Sequence, residues 1–203
     1  MEPSKIKTNS IRCPWAGDDS LYQHYHDTEW GVPKIDDQAL FEKLCLEGFQ
    51  AGLSWITVLR KREHFRKVFD HFVPEKLIIY DDKKIAKLMH DPGIIRNKLK
   101  IEATISNAKT YLALKERQSL GHFFWKYIDG IPVQNSFKVH DDIPAQTELS
   151  EQISKDLKKL GFRFCGPTIV YAFMQSIGMV NDHLTTCHRY EACVQLGKDF
   201  KMY

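Results

Sequence analysis

Residues that start and stop helices recur along this 203-residue chain, and no other feature constrains its fold as strongly. Asp18 or Asp19 can cap a helix that ends at Gly31, with Pro33 just beyond it. No segment shows the sustained alternation of polar and apolar residues that is typical of strands. The pattern therefore predicts an all-α fold.

The same signals predict the helix boundaries. Pro74 suits the first turn of a short helix, and Asp81 or Asp82 can cap the next one. The longer helices are expected over residues 37–50, 55–69, 94–114, 121–128, 147–160 and 167–178, with a break at 51–53 and an irregular stretch at 129–146.

The composition is that of an ordinary soluble domain, with 43% hydrophobic and 27% charged residues. We expect one domain over residues 1–203, with 1–11 and 188–203 as peripheral tails. No window approaches the ~18 apolar residues of a membrane span. We expect a cytoplasmic protein that acts as a monomer and has no membrane partner.

Five scattered cysteines do not suggest a disulfide framework, which leaves metal binding as one use for them.

Basic residues gather in three stretches, at 60–67, 96–100 and 155–163. If folding brings them together they form a phosphate-binding face; otherwise they are three separate solvated helix faces. The third stretch leads into a glycine-bearing link at 162–166 between two helices. Such hairpins can offer backbone N–H groups to a DNA phosphate, although most helix pairs of this kind only pack together.

One acidic residue lies where the helical pattern calls for an aliphatic side chain. Leu40, Leu44 and Glu47 share one face of the predicted helix. A buried carboxylate without a positive partner is costly, so such a group usually neutralises or pairs. Glu47 is therefore partly exposed, salt-bridged to a nearby Arg, or kept buried for a function.

A possible metal site involves both ends of the chain. His183 and Cys187 are four residues apart, so on a helix they share a face, and this step is common among zinc ligands. Cys13 with His24 or His26 could complete a Cys₂His₂ set that leaves no position open for water. The spacing alone also fits four unrelated residues. The competing candidates are His24, His188 and Cys193.

Several long motifs occur in a fixed order. They are C-x-W at 13–15, YHDTEWGVP at 25–33, LEGFQAGLSW at 46–55 and GFRFCGPTIVYAFMQSIGMVNDH at 161–183. Together they resemble the 3-methyladenine DNA glycosylase I family, bacterial alkylation-repair enzymes of the helix-hairpin-helix superfamily. The resemblance runs from about Arg12 to Cys187, which is nearly the whole chain.

The resemblance implies a helix-hairpin-helix glycosylase fold with a structural zinc that ties the N- and C-terminal segments together. The implied zinc ligands are Cys13, His26, His183 and Cys187. Asp182, beside His183, is then a helix cap or a partner of the ligands. It also lies near the position where many superfamily members carry a catalytic Asp.

The resemblance also gives the buried carboxylate a function. Glu47 matches the catalytic pocket glutamate of the family, and adenine methylated at N3 is cationic in DNA and supplies a positive partner. Tyr25 and Trp55 are expected to stack on the base and hydrogen-bond to it. The other aromatic residues expected at the site are Tyr22, Trp15 and Trp30.

For DNA, the resemblance assigns phosphate binding to the hairpin and places a gap-filling loop beside the pocket. The implied DNA contacts are Phe162, Arg163 and Gly166 of the hairpin, Lys158 and Lys159 before it, and Gly52 and Leu53 of the loop.

The implied reaction is hydrolysis of the N-glycosidic bond in double-stranded alkylated DNA, releasing 3-methyladenine and leaving an abasic site. Gly166 is followed by Pro167 and Thr168, where lyase-competent relatives carry a Lys, so no strand cleavage is expected. The alternative is a zinc-stabilised DNA-binding module without catalysis, such as a lesion sensor. A zinc deaminase is disfavoured because its H-x-E and P-C-x-x-C signature is absent.

Overall fold

The computed structural model describes residues 10–202, which fold mainly into helices as predicted. The helices are α1 (Ser20–Thr28), α2 (Asp37–Gln50), α3 (Trp55–Leu59), α4 (Arg62–Val68), α5 (Pro74–Leu77), α6 (Asp82–Met89), α7 (Lys98–Lys115), α8 (Leu120–Trp125), α9 (Glu148–Leu160), α10 (Pro167–Ser176) and α11 (Tyr190–Asp199). Two short strands, β1 (Val133–Gln134) and β2 (Val180–Asn181), pair in parallel and were not predicted. Within residues 10–202, the helices are too short or too polar to cross a membrane.

Side-chain caps decide several helix starts. The Asp19 carboxylate accepts a hydrogen bond from the Tyr22 amide at 3.0 Å, so Asp19 and not Asp18 begins α1. Asp81 caps α6 by accepting from the Lys84 amide at 2.8 Å. Each cap satisfies an amide that the helix itself leaves without a partner.

Two predicted boundaries are wrong. The helix expected over 55–69 is two helices, because α3 ends at Leu59 and α4 begins at Arg62 without a glycine or proline to mark the break. The helix expected to start at residue 94 starts at Lys98. Asn97 caps it by accepting from the Lys100 amide at 3.1 Å, and this signal is easily overlooked inside a basic stretch.

The C-terminal segment 188–203 was expected to be a peripheral tail, and it contains α11, which packs on the domain. Cys193 of α11 is buried, and the Phe200 ring lies 4.2 Å from the Trp125 ring, centroid to centroid. Of the other expected tail, 1–11, only Ser10 and Ile11 fall among the described residues.

Helix α2 lies at the centre of the fold, where it packs against α3, α7, α8 and α10. Leu40, Phe41 and Phe49 of α2 are completely or almost completely buried. Burial on this scale contributes about 1.5–3 kcal/mol for each large apolar side chain. Because α2 is held from several sides, its polar residues are fixed as firmly as its apolar ones.

The predicted hairpin joins α9 to α10, which pack against each other. Gly161 ends α9 with a φ of 106°, a conformation that favours glycine. The side chain of Asn107, on α7, accepts from the Arg163 amide at 2.8 Å and donates to the Arg163 carbonyl at 3.1 Å. The Ser154 hydroxyl donates to the Cys165 carbonyl at 2.6 Å. The five-residue link is therefore held rigidly at both ends.

Candidate active site and metal cluster

A cavity of about 250 Å³ opens between the N-terminal segment, α2, α3 and α10. Its lining is mainly aromatic, with one carboxylate and two amide side chains. It is lined by Trp15, Tyr22, Tyr25, Trp30, Glu47, Gln50, Trp55, His140, Ile143, Ala172 and Gln175. An aromatic cavity with few polar groups is suited to a flat, polar-edged ligand such as a nucleobase.

Glu47 is buried at the cavity wall, with 2% of its surface exposed. It is neither partly exposed nor paired with an Arg, the first two alternatives that the sequence left open. Its Oε1 atom lies 3.1 Å from the ammonium nitrogen of Lys43, one turn earlier on α2. Its Oε2 atom is buried, and no hydrogen-bond partner for it is found among residues 10–202. One carboxylate oxygen therefore remains for a ligand.

Burial raises the pKa of Glu47 above its ordinary value, and the Lys43 ammonium and the nearby Ser176 hydroxyl oppose that rise. That hydroxyl donates its hydrogen bond to the Phe173 carbonyl oxygen at 2.8 Å and not to Glu47. Burial in turn lowers the pKa of Lys43 to about 8, against the attraction of Glu47. Lys43 also donates to the Tyr25 hydroxyl at 2.8 Å, and its Nζ lies 3.5 Å from the centroid of the Trp55 ring. Sequence reasoning missed Lys43, although its position four residues before Glu47 on a helix is a usable signal.

The five aromatic residues expected at the site all line the cavity. Trp15 is central, with its ring 4.9 Å from that of Tyr22 and 5.0 Å from that of Trp30. The Tyr25 and Trp55 ring centroids lie 5.4 Å apart, and the Lys43 ammonium lies 4.7 Å from the first and 3.5 Å from the second. The Trp55 indole Nε1–H is buried without an acceptor in the described part of the chain. It is a second polar group that a ligand could satisfy.

Beside the cavity lies a buried cluster of two thiols and two imidazoles. The ligand atoms of Cys13, His26, His183 and Cys187 all lie within 4.8 Å of one another. The Cys187 sulfur is 3.5 Å from Nε2 of His26 and 3.5 Å from Nδ1 of His183. The Cys13 sulfur is 3.6 Å from the same His183 atom. Such a set of two sulfur and two nitrogen donors suits a tetrahedral metal ion with no open position.

Groups behind the two imidazoles orient them toward the cluster. Nδ1 of His26 contacts Oδ1 of Asp27 at 2.7 Å, and Nε2 of His183 contacts the Trp30 carbonyl oxygen at 3.1 Å. Each contact fixes the tautomer that leaves the other ring nitrogen free to bind a metal ion. This is the donor arrangement that metal-binding histidines need, and it supports the fit of the four residues to a metal.

The competing candidates lie outside the cluster. His24 and His188 are exposed, and Cys193 accepts a long contact of 3.9 Å from the Arg189 guanidinium. One part of the sequence argument is wrong: His183 and Cys187 lie on a turn, not on a helix face. The Cys187 amide closes this turn by donating to the Leu184 carbonyl oxygen at 2.8 Å, and the Leu184 amide donates to the Cys13 sulfur at 3.4 Å.

Comparison with known proteins places this arrangement in a family. The model of the methyladenine glycosylase family matches residues 15–190. A DNA-3-methyladenine glycosylase of Haemophilus influenzae is 49% identical over 179 residues, covering 88% of this chain and 97% of that protein. DNA-3-methyladenine glycosylase 1 of Escherichia coli is 46% identical over 180 residues, covering 88% and 96%. The chain belongs to the methyladenine glycosylase family.

Solved structures agree with this kinship. A crystal structure of 3-methyladenine DNA glycosylase I has a TM-score of 0.86 at 47% identity, covering 88% of this chain and 98% of that one. The Staphylococcus aureus enzyme, solved for the structural basis of its 3-methyladenine recognition, has a TM-score of 0.85 at 36% identity, covering 88% and 96%. As a family member the protein is a DNA glycosylase, so the alternatives of a non-catalytic binding module and a deaminase are set aside.

The irregular stretch of this glycosylase contributes to the cavity. His140 and Ile143, which lie between β1 and α9, both line it. Sequence reasoning missed them because a loop without periodicity gives no indication of what it packs against. Gln175 also escaped notice, since it lies inside an otherwise apolar helix.

Asp182 is buried and accepts three hydrogen bonds, a larger structural role than the sequence suggested. The donors are the Asn135 amide at 2.6 Å, the Tyr171 hydroxyl at 2.7 Å and the Gln175 amide at 2.8 Å. It begins no helix, and none of these three hydrogen bonds involves His183. Its contact with Gln175 orients one wall of the cavity.

The residues expected to contact DNA differ in their exposure. Lys158, Lys159 and Arg163 are exposed, and Leu53 is 42% exposed next to Gly52, whose φ is 78°. Phe162 differs, because its side chain is buried and only its backbone can face a phosphate.

Part of the first two basic stretches serves the fold itself. Arg62 donates to both carboxylate oxygens of Glu29 at 2.6 and 2.8 Å, and Arg66 pairs with Glu42 at 2.7 Å. Lys100 is buried, and its ammonium donates to carbonyl oxygens at the end of α2. These three residues are therefore not free to bind phosphate, whereas Arg60, Lys67, Arg96 and Lys98 of the same stretches are exposed.

Proposed function

We propose that the protein flips N3-methyladenine out of alkylated duplex DNA and hydrolyses its N-glycosidic bond, leaving an abasic site. The observation that carries the proposal is the buried carboxylate of Glu47 in the wall of an aromatic cavity, with its Oε2 atom lacking a hydrogen-bond partner within residues 10–202. The relatives of known name act on 3-methyladenine DNA, which supports the same substrate here.

Energy differences explain how such a cavity selects the methylated base. Stacking contributes ~1–3 kcal/mol for any base and cannot discriminate alone. A cation over a desolvated Trp ring gains ~2 kcal/mol more, and a hydrogen bond to a charged carboxylate contributes ~1.5–3 kcal/mol. Only a cationic base gains both. A normal adenine gains no cation–π energy and must still leave the duplex at a cost of a few kcal/mol.

The charge of the base also lowers the chemical barrier. The electron pair of the C1′–N9 bond departs with the base, which becomes neutral, while a water oxygen bonds to C1′ and releases a proton to solvent. The leaving base needs no acid catalyst. Glu47 would hold the cationic base in place and stabilise the positive charge as it moves toward the sugar.

The described residues support a monofunctional enzyme. Pro167 and Thr168 follow the hairpin and offer no amine. The Lys43 amine is directed toward Glu47, Tyr25 and the Trp55 ring. We propose that no Schiff base forms at C1′ and that no strand is cleaved.

DNA binding is assigned to the link between α9 and α10, read as a helix-hairpin-helix, and to the loop after α2. Lys158, Lys159 and Arg163 are exposed at the end of α9 and in the hairpin, and Leu53 is exposed in the loop after α2. Phosphate contacts would fix the duplex while Leu53 fills the space left by the flipped nucleotide.

We further propose that the Cys₂His₂ cluster holds one structural Zn²⁺. Cys13 and His26 belong to the N-terminal segment, whereas His183 and Cys187 lie near the other end, so the ion would hold both ends beside the cavity. We also propose a monomer in the cytoplasm, which rests on the composition and the cysteine usage.

The test is incubation with duplex DNA that carries N3-methyladenine, with and without sodium borohydride. The proposal predicts an abasic, unbroken strand and no covalent protein–DNA adduct. Alkali-independent strand breaks or a borohydride-trapped adduct would contradict the monofunctional mechanism. Duplex DNA without the lesion is the control substrate and should remain intact.

A further inference from the structure

We propose that Lys43 is a specificity-determining residue whose ammonium group competes with a cationic base for the Glu47 carboxylate and the Trp55 ring. The inference rests on the proposed function, because that function makes the bound base a cation. It concerns a residue that the sequence motifs did not single out.

In the structure, the Lys43 ammonium already makes the interactions that a cationic base needs. Its Nζ lies 3.1 Å from Oε1 of Glu47 and 3.5 Å from the centroid of the Trp55 ring. It also lies 4.7 Å from the centroid of the Tyr25 ring and donates to the Tyr25 hydroxyl at 2.8 Å. The lysine side chain is only 11% exposed, so water screens these contacts poorly.

The other charged groups around Lys43 do not supply a second negative partner. Glu29 attracts the ammonium and Lys34 repels it. Glu29 is itself held by Arg62 through two short hydrogen bonds of 2.6 and 2.8 Å. Tyr25 stays neutral because burial raises its pKa well above the ordinary value. Glu47 is therefore the carboxylate that the ammonium and an incoming cation must share.

Two positive charges cannot both be well stabilised by one buried carboxylate. Burial already lowers the pKa of Lys43 to about 8, and a second cation nearby lowers it further. The complex with a cationic base should therefore hold one proton fewer than the free protein. By linkage, its affinity rises with pH up to the pKa of Lys43 in the free protein and levels off above it.

The test is titration calorimetry with two probes between pH 7 and pH 9. The first is 3,9-dimethyladeninium, which is cationic because both ring nitrogens are methylated; the second is free 3-methyladenine, which is neutral in this range. For the cation, affinity should rise about tenfold from pH 7 to pH 9, with release of one proton per complex at pH 7. For the neutral base, the affinity should change little.

Lys43→Arg isolates the effect, because its charge does not titrate in this range. This variant should bind the cation weakly at every pH and release no proton. Lys84→Arg is the matched control, since Lys84 lies over the Tyr80 ring at 4.6 Å and near Asp70 at 4.0 Å but outside the cavity. It should keep the wild-type profile.

The outcomes separate this inference from the proposed function. A flat wild-type profile for the cation, or the same rise in Lys43→Arg, would overturn the role of Lys43. If the wild-type protein binds neither probe, that result would instead contradict the assignment of the cavity as the base-binding site. If Lys43→Arg does not fold, the wild-type pH profile and the variant Lys43→Met test the role of Lys43. The Met variant should bind the cation more tightly at pH 7 than the wild type does.

Discussion

Replacing Glu47 with Gln removes the charge at the cavity wall while keeping the size of the side chain. The variant loses the attraction of the carboxylate for a cationic base and the acceptor Oε2, which has no partner within the described residues. A hydrogen bond to a charged group contributes ~1.5–3 kcal/mol, and each ~1.4 kcal/mol is a tenfold change in affinity. The expected loss for the cation is therefore ~10- to 150-fold.

The fold should survive this change. Removing one partner of a buried ion pair can cost ~3–5 kcal/mol, but Lys43 can shed its proton because burial already lowers its pKa to about 8. Glu47→Gln should therefore unfold at a lower temperature than the wild type and still bind the proposed zinc. Unfolding temperature and zinc content check both points.

Titration calorimetry with 3,9-dimethyladeninium and with free 3-methyladenine measures the binding loss, and the loss should be larger for the cation. Glu42→Gln is the matched control, since Glu42 lies on the same helix and pairs with Arg66 at 2.7 Å outside the cavity. Unchanged binding in Glu47→Gln, or an equal loss in Glu42→Gln, would refute the assignment of Glu47 to the base.

Three further perturbations test the proposed metal site, the loop after α2 and the lysines before the hairpin. Cys187→Ser should lose the proposed zinc and about 3 kcal/mol or more of stability, or roughly 6–12 °C in Tm, whereas Cys193→Ser should still bind zinc; metal analysis and melting curves check this. Lys100→Met removes the donors to the Phe49 and Ala51 carbonyls, at 2.9 and 2.6 Å, which hold the start of the loop 51–53. Because that loop is proposed to contact DNA, excision from DNA should slow while the affinity for the free base is unchanged. Replacing Lys158 and Lys159 by Gln should reduce the salt dependence of DNA binding by roughly one to two units of slope, measured by fluorescence anisotropy.

The sequence predicts much of the fold because local chemistry sets the helix ends. The Asp19 cap and the stop at Gly161 depend on neighbours a few residues away, and the structure agrees with both. The break between α3 and α4 was not predictable in this way. It depends on tertiary contacts such as that of Arg62 with Glu29, 33 residues away in sequence.

The candidate site likewise has some features that the sequence predicts and others that depend on tertiary contacts. The Cys₂His₂ cluster and the aromatic wall follow from long motifs, whereas Lys43, His140 and Ile143 belong to no recognisable motif. The pattern around Leu44 and Glu47 indicated an anomalous charge, but it could not identify the partner. That answer needed the side-chain geometry, in which a lysine one turn earlier takes the position expected for an Arg.

The central claim is that Glu47 holds the methylated base in the aromatic cavity, and the structure of the protein bound to 3-methyladenine tests it most directly. We expect the base to stack against Tyr25 or Trp55, with a ring or amino nitrogen within hydrogen-bonding distance of Oε2 of Glu47. A base bound elsewhere, or one bound in the cavity with Oε2 still lacking a partner, would contradict it.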